Sequence, residues 1–237
     1  MVINLAYYFD WFQLGRTLPE KFLAQEQAVE HLAQLCKHYG SILLQPSSYR
    51  VFDGFRATAY NEEHECHPLS PRGQALVRME QSVRSLCPQH VILRFGWLLD
   101  DSLEGMLGRV LQRASAGEEL EMADDRRGNP TPVEEAARAI VAVLKQLDCT
   151  APLWGTYHFG GQEAATTLTV SEAILHEAKY WNSSIGQELV ARPHASFEDA
   201  SIEPQHGVLD CKKITHTFGI KPRAWRNGIA DLLDSYY

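Results

Sequence analysis

Between residues 47 and 80 this 237-residue chain reads SSYRVFDGFRATAYNEEHECHPLSPRGQALVRME, a run dense in side chains that could do chemistry. Ser48 offers a hydroxyl that can hydrogen-bond a carbonyl oxygen. Tyr49 and Tyr60 offer phenols able to give up a proton. Arg72 reads most simply as a solvated loop arginine; as a ligand it could polarise a carbonyl or hold an anion, but it cannot release a proton near neutral pH, and Leu76 has none to release. His64-Glu65-Cys66-His67 presents three metal-ligand types within four residues. Donors that close together are hard to wrap around one tetrahedral zinc, and no second cluster lies nearby in sequence, so no metal is expected. Cys66 has no base except its histidine neighbours and is not expected to act as a nucleophile. Outside this run, Trp97 reads equally as core or as a cleft wall. Asp124-Asp125-Arg126-Arg127 reads most simply as a solvated turn.

These side chains need a scaffold, and the composition supplies one. Hydrophobic residues make up 45% of the chain, enough to bury a core in one large domain or two small ones. The net charge of −8 argues against a nucleic-acid backbone or an anionic membrane as main partner. The five cysteines (Cys36, Cys66, Cys87, Cys149 and Cys211) are odd in number and none form a CxxC pair, so no disulfide framework is expected and a reducing cytoplasm fits best. No basic region precedes the first apolar run, so no signal peptide is read. No apolar run approaches the ~20 residues needed to span a bilayer.

Strand and helix signals alternate. Residues 2–8 (VINLAYY) are nearly all apolar, which suits a strand covered on both faces. A helix is predicted over 19–39, with Pro19 in its first turn, Gly40 as its C-terminal cap, and Phe22, Val29, Leu32, Cys36 and Tyr39 at helical spacing. Further strands are predicted over 41–45, 91–97, 119–123 and 155–160. Further helices are predicted over 74–86, with Leu76, Val83 and Leu86 on one side, and over 102–114 and 225–233. Thr131-Pro-Val-Glu134 and Thr169-Val-Ser-Glu172 read as capping boxes opening helices to about 147 and 181. Residues 182–204 carry few regular signals. The alternation predicts an α/β fold with a mostly parallel sheet. A less regular C-terminal third is read as a smaller lobe resting on it.

The order and spacing of several short motifs resemble the dTDP-4-dehydrorhamnose reductase family of extended short-chain dehydrogenases. That group also includes the regulatory β subunit of methionine adenosyltransferase. Val2-Ile-Asn-Leu-Ala-Tyr-Tyr8 resembles the family's Val-Ile-Asn-Ala-Ala-Ala-Tyr strand, which lies beside the cofactor and makes Asn4 and Ala6 candidate cofactor contacts. Ser47-Ser-Tyr-Arg-Val-Phe-Asp-Gly54 resembles Ser-Thr-Asp-Tyr-Val-Phe-Asp-Gly. Tyr60-Asn-Glu-Glu63, Pro68-Leu69, Leu93-Arg94 with Trp97, Asp124-Asp125 with Gly128-Asn-Pro-Thr131, Tyr157-His-Phe, Leu209-Asp210 and Phe218-Gly-Ile220 follow in the family's order. The resemblance spans nearly the whole chain. It implies one NAD(P)-binding Rossmann-like domain over 1–237, with 1–98 a remnant of the cofactor sheet and 99–237 mostly substrate lobe and returning helices. Its candidate substrate contacts are Phe52, Asp53, Trp97, Asn129 and Thr131.

The departures from the family bear most on function. The catalytic Ser/Thr falls on Ser48, the family's proton-donating tyrosine on Arg72, and the lysine that tunes it on Leu76. The family's Arg-Pro near the end, which helps bind the nucleotide sugar, is Glu203-Pro204 here, and a carboxylate there would repel a diphosphate. The glycine-rich GxxGxxG turn that holds a cofactor pyrophosphate is absent from this sequence. The resemblance aligns Met1 with the family's fourth strand, so the incomplete Rossmann-like sheet lacks about three strand units. We expect a start assigned inside a longer gene, because an apolar strand at residue 2 would otherwise leave an open edge at 2–8, a surface for a second copy or a protein partner. The alternative is a protein that lacks the cofactor half. The expectation for function is a cytoplasmic nucleotide-sugar-binding protein, catalytically inactive alone and acting as a binding or regulatory subunit, with no cofactor held firmly by this chain. The alternative is an NAD(P)H-dependent reductase or epimerase of a 4-keto nucleotide sugar, its proton donor recruited from Tyr49 or Tyr60.

Overall fold

Two six-residue segments, Leu43–Ser48 and His90–Phe95, are buried at every position. A strand with both faces covered belongs inside a parallel sheet sandwiched by helices, and that is where the structure, a computed structural model describing residues 1–6, 19–147, 153–183, 185 and 189–237, places them. Along the chain run β1 (Val2–Ile3), α1 (Pro19–His38), β2 (Leu43–Ser48), α2 (Pro71–Leu86), β3 (His90–Phe95), β4 (Trp97–Leu99), α3 (Met106–Ser115), β5 (Leu120–Ala123), β6 (Arg127–Gly128), β7 (Pro130–Pro132), α4 (Val133–Leu147), β8 (Gly155–Phe159), β9 (Ala165–Thr166), α5 (Thr167–Ala178), β10 (Leu189–Arg192), β11 (His206–Gly207), α6 (Lys212–Phe218) and α7 (Asn227–Tyr236).

The main sheet has the order β1-β2-β3-β8, all parallel. Alternate side chains serve its two faces. Leu43 and Ile92 pack with Val29, Ala33 and Cys36 of α1 and Leu76, Met79 and Val83 of α2. Leu44, Val91, Leu93 and Phe95 pack with Ala139 and Val143 of α4, Tyr157 and Phe159 of β8, and Ile214 and Phe218 of α6. Small sheets, β5 with β10 and β6 between β9 and β11, join α3, α5 and α7 in the second lobe. Among the described residues no helix is long and apolar enough to cross a membrane.

Several boundaries differ from the sequence expectations, each for a local reason. The strand expected over 2–8 pairs only as Val2–Ile3, against Leu43 and Leu44, while Tyr7 and Tyr8 lie outside the described residues. Tyr39 lies beyond the end of α1 and is exposed, because the helix stops at His38 and Gly40 turns with a φ of 59°. The strand expected over 41–45 starts later and runs to Ser48, since its register with β3 continues from Leu43↔His90 to Ser48↔Phe95. α2 begins three residues before Gln74: Ser70 Oγ accepts from Gly73 N, and Pro71 fills the first turn.

Gly96 divides the strand expected over 91–97. β3 ends at Phe95, and Trp97 N then donates to Asn129 O as β4 pairs with β7. The Thr131 capping box does not form, because Thr131 Oγ1 donates to Asn129 O and accepts from Gly161 N within β7. α5 is capped by Thr166, whose Oγ1 accepts from Thr169 N, so it starts ahead of the expected box. α3 starts at Met106, because Ser102 Oγ instead accepts from Gly105 N in the preceding turn. The last helix runs over Asn227–Tyr236, with Trp225 buried just ahead of it.

Candidate functional site

A cleft of about 360 Å³ opens at the carboxyl ends of β2 and β3, between the sheet and the second lobe. Ser47 and Ser48 of β2, with Phe95, Gly96 and Trp97 on the β3–β4 junction, form one side. Arg109 of α3, Met122 of β5 and Arg126 form the other, and His194 and Glu203 close it. The outer end of a parallel sheet is where ligands bind in open α/β folds.

Ser48 and Arg72 line this cleft together. Ser48 is 4% exposed and caps a 3-10 turn (Tyr49–Val51), its Oγ accepting from Arg50 N at 3.4 Å. Arg72 sits on the first turn of α2, which Gly73 lets dock close to that turn. A Cβ at Gly73 would lie 2.4 Å from Arg50 O. Leu76, one helical turn on, is 1% exposed and packed in the core, away from the cleft lining. The two positions that the sequence resemblance pairs with the family's Tyr and Lys therefore diverge, one into the cleft and one into the core.

Ser47, next in sequence to Ser48, is tied to a buried ionic cluster. Glu80 accepts from Arg94 Nη2 at 2.6 Å and Arg94 Nε at 2.9 Å, from Arg84 Nη2 at 2.6 Å and from Ser47 Oγ at 2.6 Å. Burial alone would raise the Glu80 pKa, but the Arg94 and Arg84 guanidinium groups hold it below the usual carboxylate range. Arg94 also donates to Cys66 Sγ at 3.0 Å, and burial pushes that thiol up in pKa. His158 shares the cluster, 3.4 Å from Arg94 Nη1. Burial and that cation push its pKa down to about 3, so it is neutral at physiological pH.

Glu203 closes the cleft as a second buried charge. Its carboxylate accepts from Arg50 Nε at 2.8 Å, Arg126 Nη2 at 2.7 Å and Tyr49 OH at 3.1 Å. Burial opposes ionisation, but Arg50 and Arg126 outweigh it and hold the pKa at about 2. The sequence expectation that this carboxylate would confront a ligand's phosphates needs correction, because two guanidinium groups already neutralise it. Burial pushes the Tyr49 phenol up, and the nearby Glu203 charge adds to that. Arg109, exposed at the cleft mouth, makes no side-chain hydrogen bond or ion pair among the described residues. Trp97 Nε1 and Arg126 Nε are buried donors without an acceptor.

Of the other residues singled out from sequence, Trp97 lines the cleft, held between Gly128, where a Cβ would lie 2.2 Å from the indole, and the Arg126 guanidinium 5.6 Å from its ring. Phe52, Asp53, Asn129 and Thr131 do not line it. Phe52 stacks on Tyr60, and Asp53 accepts from Tyr60 OH at 2.6 Å. Asn129 donates to Gly161 O and accepts from Leu209 N, so with Thr131 it ties β7 to the C-terminal segment. Tyr60 is likewise outside the cleft lining. Asn4 donates to Gln45 at 2.9 Å and Ala6 is exposed. His64, Cys66 and His67 engage Asn61 N, Arg94 and Glu65 respectively and do not converge. Arg126 corrects the solvated-turn reading, since it is an inward cleft residue, and Asp125 also turns in, accepting from His194 N and Gln205 Nε2. Sequence reasoning did not single out Arg50, Arg109 or His194. The Asp124-Asp125 motif was the one signal near the right loop.

A parallel sheet flanked by helices, with its cleft facing a second lobe, defines a Rossmann-like α/β fold. The dTDP-4-dehydrorhamnose reductase of Clostridium acetobutylicum superposes with a TM-score of 0.81 at 21% identity, covering 92% of this chain and 75% of that one. The Bacillus anthracis enzyme of the same name, in complex with NADP, gives 0.76 at 21% identity over 88% and 71%. In sequence, the dTDP-4-dehydrorhamnose reductase of Aggregatibacter actinomycetemcomitans is 25% identical over 234 residues, 98% of this chain and 80% of that protein. All of residues 1–237 match the family described as the RmlD substrate binding domain, and the chain belongs to that family.

Proposed function

We propose that this chain binds a nucleotide sugar in the cleft and does not reduce it, serving as a binding or regulatory subunit. The observation that carries the reading is the divergence of residues 72 and 76. Arg72 brings a permanent cation, not a proton donor, to the cleft beside Ser48, and Leu76 is sealed in the core. Ser48 and Trp97 keep a hydroxyl and an aromatic wall in place, and Arg109 offers a cation at the mouth for a phosphate. Calorimetric titration with dTDP- and UDP-sugars should give saturable heat, abolished when the nucleotide is removed from the sugar. No binding of any nucleotide sugar would sink the reading.

Tyr49 supports a second reading, a reductase with a relocated proton donor, because it lines the same cleft next to Ser48. Against this, its hydroxyl is committed to Glu203 and its pKa is raised. A donor harder to deprotonate and already hydrogen-bonded elsewhere is poorly placed to serve a ligand carbonyl.

A further inference from the structure

We infer that Glu203 is an internal anion that fills the guanidinium cradle of the cleft, so that a phosphate-type group on a ligand reaches Arg50 and Arg126 only by displacing it. The inference rests on the proposed function only in treating the cleft as the ligand site.

Three donors from two separated parts of the chain converge on one carboxylate. Arg50 Nε reaches Oε1 at 2.8 Å and Oε2 at 3.0 Å, Arg126 Nη2 reaches Oε2 at 2.7 Å, and Tyr49 OH reaches Oε2 at 3.1 Å. Paired guanidinium groups with a hydroxyl form a receptor for an oxyanion. Here the oxyanion comes from the protein. It is held from behind, where Glu203 N donates to Asp199 O and His194 Nε2 lies 3.1 Å from Glu203 O. Its side chain is 8% exposed. Asp199 lies 3.8 Å from Arg126 Nη1, so the two carboxylates already match the two guanidinium charges. A phosphate entering this cradle would meet no surplus of positive charge.

The groups left for a ligand are of another kind. Arg126 Nε–H and Trp97 Nε1–H are buried donors that lack acceptors, and both residues line the cleft. They suit a neutral acceptor such as a sugar hydroxyl or carbonyl oxygen. Arg109, with no ion pair among the described residues, offers a phosphate a cation at the mouth. The cleft therefore selects ligands that place a neutral polar group, not an anionic one, against Arg126.

Inorganic pyrophosphate probes the cradle directly. Glu203→Gln withdraws the charge from both guanidinium groups. It should bind pyrophosphate about tenfold tighter than wild type, by calorimetry at fixed ionic strength. Its melting temperature should fall below wild type in chloride and recover on adding pyrophosphate, while wild type moves little. A purely structural Glu203 would lower the melting temperature without anion-specific recovery. Adding Arg50→Gln should erase most of the gain. If Glu203→Gln does not accumulate folded, Glu203→Asp, which pulls the carboxylate back by one methylene, should show the same anion response at smaller amplitude. Equal or weaker pyrophosphate binding by the variant that folds, or the same recovery in chloride of equal ionic strength, overturns the inference. Failure of wild type to bind nucleotide sugars would remove the proposed function and leave this result standing.

Discussion

Replacing Arg94 with methionine should lower the unfolding free energy by about 3–5 kcal/mol, because it leaves Glu80 buried without its main counter-ion. Glu80 is 1% exposed and receives two hydrogen bonds from Arg94, which is itself 2% exposed. Arg84, its other cation, is more exposed and reaches it from one turn along α2. Removing Arg94 also removes the guanidinium that lies 5.1 Å from the Phe52 ring and the donor to Cys66. Urea denaturation of the single variant and of Glu80→Met/Arg94→Met separates the contributions. The double variant should recover much of the loss, since an apolar pair of similar volume leaves no buried charge. A single variant within about 1 kcal/mol of wild type would show that water reaches Glu80 and that the cluster is not the rigid base of Ser47.

The second large effect concerns the position aligned with the family's lysine. Leu76→Lys should destabilise the chain on the order of 4 kcal/mol at neutral pH. The residue is 1% exposed among apolar neighbours, and a buried ammonium has its pKa driven down by several units. The sign follows from linkage. The unfolded lysine keeps its proton up to about pH 10, whereas the buried one loses it far lower, so the penalty grows as pH falls and shrinks as pH rises toward 10. Chemical denaturation at pH 6, 8 and 9.5 should show the gap to wild type closing. A gap that is small and flat with pH would mean that position 76 opens to solvent or to the cleft. In that case the loss of the lysine would be a simple substitution and not a change in what α2 packs against.

The alternation of strand and helix was legible because the buried strand His90–Phe95 carries the near-continuous apolar run VILRF, and because Pro19 and Gly40 mark the ends of the first helix. Boundaries failed where a hydroxyl had two possible uses. Thr131 has the spacing of a cap, yet its Oγ1 is taken by Asn129 and Gly161, partners 2 and 30 residues away in sequence. In the cleft, Ser48 and Trp97 were legible through the motif order they share with the family. Arg50 and Arg126 were not, because their role depends on Glu203, which lies 153 and 77 residues away. A carboxylate read alone suggests repulsion of a phosphate. Read with both guanidinium groups, it becomes a filled anion site. Asn129, Thr131, Phe52 and Asp53 show the converse, since matching a family motif placed them near the cleft segment while their hydrogen bonds and stacking are spent inside the fold.

The most direct test is NADPH oxidation by the purified chain supplied with a dTDP-4-keto sugar it has been shown to bind. No oxidation above the enzyme-free rate is expected, because Arg72 cannot serve as the proton donor and the Tyr49 hydroxyl is committed to Glu203. Reduction of the keto sugar at ordinary enzymatic turnover would contradict it, and loss of that activity in Tyr49→Phe would identify the donor that the account rejects.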